Sequence, residues 1–173
     1  LQMQSVFACI DIDHPVVAWA AYRGVLVSAQ TGHEYPNCPV SVMMAGMLKS
    51  RNRTRLMNEL EIEKVRQLRH SECVSRLTGM YFFEEQSSME SASDWGSHFH
   101  PDYHAELGLF ADSTYSRHDA NWITLAPLDT SGLIKSVDWI DNYWAGEPYP
   151  NRNPVWELVV NGRAAVYGTA LRE

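Results

Sequence analysis

Apolar positions along the chain change their period several times, and each change predicts an element. Val6 to Ile12 is hydrophobic and then alternates, predicting a strand that Asp13-His14-Pro15 stops. Val16 to Ala21 fits a strand or a short helix alike. Tyr22 to Val27 reads as a strand interrupted by Gly24, and Thr31 to Pro39 as loop. Val40 to Leu48 is apolar and Met-rich, a core helix with gap-filling methionines. Arg55 to His70 is the clearest helix, with Leu56, Met57, Leu60, Val65 and Leu68 expected on the core-facing side. Val74 to Phe83 reads as a loop entering an aromatic strand, and Glu84 to Trp95 as a polar stretch with a short helix around Met89 and Ala92. Residues 97–120 look loop-like and Trp122 to Leu128 strand-like. Asp129-Thr130-Ser131 is expected to cap a helix running to about Ala145. A Pro- and Asn-rich loop over 146–154 then leads into Val155–Val160, Asn161-Gly162 and Ala164–Tyr167, the pattern of a β-hairpin. This order predicts a single α+β domain over residues 1–173.

Composition narrows the class. At 173 residues with 45% hydrophobic and 11% aromatic content, the chain is expected to be globular with a substantial core. No apolar run approaches the roughly 20 residues of a membrane helix, and no signal-peptide pattern opens the sequence. Cys9, Cys38 and Cys73 are odd in number and lack C-x-x-C spacing, so they read as thiols of a reducing compartment. The expected location is cytoplasmic. The net charge of −7 speaks against a nucleic-acid partner, but its distribution speaks for one. Residues 49–76 hold eight of the fourteen cations and four of the twenty-one acids, giving +4 there against −11 elsewhere. Such a segment either steers an anionic partner or forms a solvated helix face.

One carboxylate stands out. Glu157 lies inside the apolar run Val155-Trp156-Glu157-Leu158-Val159-Val160, where an acid must be partnered, solvent-facing or part of a site. A strand-borne Glu followed by aliphatics and a turn resembles the third motif of NAD-dependent ADP-ribosyltransferases. The resemblance implies that Glu157 is catalytic, bonding the nicotinamide-side ribose and steadying an oxocarbenium-like transition state. Arginine-specific members carry Glu or Gln two residues earlier; Val155 stands there, so that subclass is not supported.

Two further stretches carry the resemblance. Ser75-Arg76-Leu77 enters a strand ending Tyr81-Phe82-Phe83, which resembles the second motif in an uncharacterised bacterial family of that fold. It implies Ser75 supporting the NAD pocket, with Arg76 and Tyr81 lining it; the planar fork of Arg76 suits a phosphate. Tyr22-Arg23-Gly24 resembles the first motif, in which an Arg or His holds the dinucleotide, and His14 is the alternative to Arg23. The fold so implied is an ADP-ribosyltransferase-like split mixed or antiparallel β core with flanking helices. NAD would serve as co-substrate, and this chemistry requires no metal. Trp144, Tyr149 and Arg152 near the loop before Glu157, together with Arg51 and Arg53, would meet a macromolecular target. The basic window favours nucleic acid, RNA in particular, over protein. The resemblance further implies an intracellular toxin or phage-defence effector with an antitoxin partner.

Two alternatives come from the residues alone. His98, His100 and His104, if they alternate on a strand, would point one way and could hold Zn, Fe or Ni. The basic segment 49–70 could instead be a non-catalytic docking surface for nucleic acid or an acidic partner, with salt-sensitive binding.

Overall fold

A computed structural model describes residues 3–29 and 40–166. The loop expected over Thr31–Pro39, Cys38 within it, and Tyr167 lie outside the described residues. The strands are β1 (Gln4–Cys9), β2 (Val25–Val27), β3 (Met80–Phe83), β4 (His104–Leu109), β5 (Thr114–Asp119), β6 (Trp156–Asn161) and β7 (Arg163–Ala165). They form one sheet in the order β2-β7-β4-β1-β3-β6-β5, antiparallel at every pairing. The helices are α1 (Pro15–Tyr22), α2 (Val42–Lys49), α3 (Arg53–Arg69), α4 (Gln86–Ser91), α5 (Asn121–Thr124) and α6 (Asp138–Trp144). The class is α+β. No helix among the described residues is long and apolar enough to cross a membrane.

The expected hairpin at Asn161-Gly162 does not form. β6 pairs with β3 and β5, whereas β7 pairs with β2 and β4, so three strands separate them in the sheet. Four strand spacings amount to about 19 Å, yet the two steps from Asn161 to Arg163 reach only about 7 Å. The sheet must therefore curl until its two lobes meet at Gly162, the kind of corner at which a strand changes partners. Gly162 has φ +150°, and its backbone runs close against Ser113. Ser113 Oγ accepts from Arg163 N at 3.0 Å, while Ser28 Oγ accepts from Gly162 N at 3.0 Å and donates to Asn161 Oδ1 at 2.8 Å. An Asn-Gly pair here serves a corner. Both of its flanking runs are strands, as expected.

Other departures have local causes. Tyr22-Arg23-Gly24 is the end of α1 and the turn after it, with Gly24 at φ +81°, and only Val25–Val27 is strand. Residues 97–120 contain β4 and β5. The polar sequence of β5 hides a strand whose buried positions are His118 and Asp119. Trp122 sits in the single-turn α5. Asp129 Oδ1 accepts from Ser131 N and Leu133 N, capping a turn through Gly132 (φ +82°), and the helix beyond begins only at Asp138.

The largest departure is the face of α3. Its buried residues are Glu59, Ile62 and Glu63, while Met57, Leu60 and Leu68 face solvent. Burying acids requires partners, and each has one: Arg76 on Glu59 and Arg66 on Glu63. Ile62 packs with Trp139, Ile140, Tyr143 and Trp144 in a helical core, separate from the sheet core around Val6, Phe82, Leu107 and Leu158.

Candidate active site

β1 and β3 share one pair, Phe7 with Phe83. Continuing that register would bring Cys9 opposite Tyr81, but the strands part there. Both residues line a cavity of about 610 Å³, within the range of small-molecule sites. α3 contributes Arg55, Asn58 and Glu59 to its wall, and Asn52, which caps the helix, adds to it. Opposite chemistry comes from Phe83, Trp95 and Phe99, whose rings pack tilted or edge to face at 5.6–6.5 Å.

Glu157 stands on β6, paired with Phe83 on one side and His118 on the other, and it lines the same cavity. Its Oε1 accepts from Tyr143 Oη at 2.6 Å and from Arg76 Nη1 at 2.9 Å. Among the described residues no hydrogen bond goes to Oε2. The described residues thus fix one of its two oxygens.

Arg76 is the hub. Nε and Nη2 donate to the two oxygens of Glu59 at 3.0 and 3.2 Å, and Nη1 donates also to Tyr143 Oη at 2.8 Å. The guanidinium carbon lies 4.8 Å from the Tyr81 ring centre and 5.5 Å from that of Tyr143, a cation–π arrangement. Tyr81 Oη donates to the Arg76 carbonyl. Burial opposes the charge on Arg76, but Glu59 foremost, with the tyrosines and Glu157, holds its pKa well above the ordinary value. Burial likewise pushes both Tyr81 and Tyr143 up, so their hydroxyls stay protonated donors. Two carboxyl groups thus face one guanidinium, with Arg55 on the wall as a second cation, so the charged side chains lining the cavity balance formally.

Ser75 is turned elsewhere. Its Oγ donates to Glu63 Oε2 at 2.9 Å, beside the bidentate Arg66–Glu63 pair. Adjacent residues Ser75 and Arg76 therefore dock on successive turns of α3, and only Arg76 reaches the cavity. Arg23 and His14 flank α1, exposed, and neither lines the cavity. Trp144 is buried in the helical core, its Nε1 donating to the Ile62 carbonyl at 2.9 Å, so it has no face for a target. Tyr149 packs edge-on to Trp122, while Arg152, Arg51 and Arg53 are exposed.

Two participants escaped the sequence reading. Glu59 was hidden among helix-surface acids; its signal is the spacing of Glu59 and Glu63, one turn apart on the side that buries Ile62. Asp119, fully buried, accepts from Asn121 N, Asn121 Nδ2, Val155 N and Tyr149 N at 2.8–3.0 Å. It ties the loop before Glu157 to the end of β5. His98, His100 and His104 do not share a strand face: two lie at short 3-10 turns and the third starts β4. His98 meets Asp11 at 2.6 Å, His100 caps the turn at Asp102, and His104 meets the Phe99 carbonyl. No cluster of three or more metal-ligating side chains occurs among the described residues.

A family model described as protein of unknown function (DUF2441) matches residues 29–171, most of the chain, and the chain belongs to that family. No curated protein matches it.

Proposed function

We propose that this member of the DUF2441 family is an NAD-consuming ADP-ribosyltransferase with Glu157 as its catalytic carboxylate. The observation that carries the reading is the state of Glu157: one oxygen anchored by Arg76 and Tyr143, the other bonded by none of the described residues, at the floor of an aromatic-walled cavity. A ribose hydroxyl is the natural donor to that second oxygen. As the bond from ribose C1′ to the nicotinamide nitrogen breaks, its electron pair leaves with nicotinamide and positive charge develops on the sugar. The Glu157 carboxylate beside the sugar stabilises that state more than the ground state, which is what lowers a barrier. The target nucleophile then bonds to C1′ and releases its proton.

The curled antiparallel sheet with a cavity where β1 and β3 diverge supports the split-core arrangement expected for this fold. Arg76 acts here as the holder of Glu157 and not as a phosphate ligand, and Tyr81 packs on it. The exposed cations Arg51 and Arg53 flank Asn52, with Arg55 on the cavity wall beside them. This cluster supports nucleic acid, RNA ahead of protein, as the target. A toxin or defence role with an antitoxin partner is proposed with the resemblance.

The test uses NAD labelled on its adenylate, incubated with RNA, DNA and protein in separate tubes, for wild type and Glu157→Gln. Label is expected in one fraction with wild type and in none with the variant. Folded wild-type protein giving neither label transfer nor nicotinamide release would sink the reading.

A further inference from the structure

The outer face of α3 has an unusual composition for a solvent-facing surface. Arg53, Met57, Leu60, Lys64 and Leu68 follow at spacings of four, three, four and four, so they share one side of the helix across its whole length. Met57 is 51% exposed, Leu60 46% and Leu68 74%. The acids that would ordinarily neutralise such a helix, Glu59 and Glu63, are buried on the opposite side against Arg76 and Arg66. The third acid of α3, Glu61, makes one long contact to Lys64 at 3.8 Å. The result is a seam of apolar knobs interrupted by cations, on a body whose remaining charge is strongly negative.

We propose that this seam docks an acidic amphipathic helix of a partner protein. Apolar side chains at three- and four-residue spacing are how a helix is read by another helix, and a lysine within such a seam selects a partner with a carboxylate opposite it. The mixture decides among occupants. A nucleic acid would meet Arg53 and Lys64 but leave the leucines uncovered. A second copy pairing α3 with α3 would set Arg53 and Lys64 against their own counterparts if parallel, or against Leu68 and Met57 if antiparallel, and in neither case against a carboxylate. An acidic helix satisfies both the knobs and the cations. The docked helix lies across α3 from Asn58 and Glu59, which line the cavity.

Two synthetic helical peptides with the same leucine seam, one flanked by glutamates and one by lysines, provide the probe. Each is titrated by fluorescence anisotropy against the full chain. The glutamate peptide is expected to bind in a salt-sensitive manner, the lysine peptide not. Leu60→Ser with Leu68→Ser changes only exposed positions and should weaken binding roughly tenfold or more with an unchanged melting temperature. Lys64→Glu should shift preference toward the lysine peptide. Binding that ignores these substitutions, or failure of both peptides to bind, overturns the proposal. So does sedimentation of the free protein as a dimer that the double serine variant dissociates, which would assign the seam to a second copy. An RNA oligonucleotide competing with the glutamate peptide as well in the serine variant as in wild type would assign it to nucleic acid.

Discussion

Glu59 and Arg76 meet through two hydrogen bonds, Nε to Oε2 and Nη2 to Oε1, and this leaves only Nη1 to reach Glu157 and Tyr143. A side chain on a helix thus sets the direction in which a buried arginine presents its last donor nitrogen to a strand carboxylate. The geometry makes the two carboxyl groups unequal: Glu59 has both oxygens occupied, Glu157 only one.

That inequality orders the effects of substitution. Arg76→Met strands two buried carboxyl groups, and removing one member of a buried ion pair costs about 3–5 kcal/mol. Glu59→Gln keeps one acceptor and leaves Arg76 bonded to Glu157, so a loss of about 2 kcal/mol is expected. Urea unfolding followed by circular dichroism ranks the two; a more stable Arg76→Met than Glu59→Gln would contradict the hub role of Arg76.

Tyr143→Phe removes one of the two donors to Glu157 Oε1 while keeping the ring that stacks on His118 at 4.6 Å. Stability should fall by about 1 kcal/mol. Nicotinamide release should fall roughly tenfold, because the free oxygen of Glu157 is less firmly aimed. Glu157→Gln should lower it by about 10²–10³, the usual loss when a charge-stabilising group is removed. Equal rates for wild type and Glu157→Gln would separate Glu157 from the chemistry.

Much of the fold was legible from period alone. β1, β3, α2, α3 and the short helix near Met89 follow from apolar spacing, and β6 from its aliphatic run. What escaped reading was set by long-range pairing. β5 buries the adjacent polar residues His118 and Asp119, and both are tolerated because their polar atoms are bonded: His118 to the Tyr143 carbonyl and Ser116, Asp119 to four donors. The corner at Gly162 looks like a hairpin because Asn-Gly satisfies the local rule for one, and only the partners of β7 reveal otherwise. The inward face of α3 was legible only in part: Val65 packs against the helical core and Leu56 is half-buried, but Met57, Leu60 and Leu68 face solvent. Its leucines outnumber its one buried isoleucine, and nothing local tells that Arg66 and Arg76 will carry its glutamates inward. Glu157 and Arg76 were both identifiable; that they touch was not.

His118 makes stability depend on pH. Burial, partly offset by the bond to the Tyr143 carbonyl, lowers its pKa from 6.5 to about 4. Between those values the unfolded chain binds a proton that the folded chain refuses, so stability falls as pH drops from about 6.5 toward 4. The slope approaches about 1.4 kcal/mol per pH unit. His118→Gln is expected to be less stable at pH 7 but to lose this share of the slope. Urea midpoints for both proteins across the window measure it; parallel curves would mean that His118 takes up its proton equally in both states.

The corner and the helix give opposite expectations for the same substitution. At Gly162 an added Cβ would stand 2.2 Å from Ser113 Oγ and 2.5 Å from its Cβ, and the residue holds φ +150°. Neither the clash nor the backbone can relax without moving the point where β6 passes into β7, so Gly162→Ala should cost about 3 kcal/mol. Gly46 lies within α2, and a Cβ there meets nothing within 4 Å. Gly46→Ala should instead stabilise by about 0.5–1 kcal/mol through the better helix propensity of alanine. Thermal denaturation of the two variants side by side reads the difference directly. A Gly162→Ala protein that melts with wild type would mean that β6 and β7 are joined some other way, and that the sheet does not close on itself there.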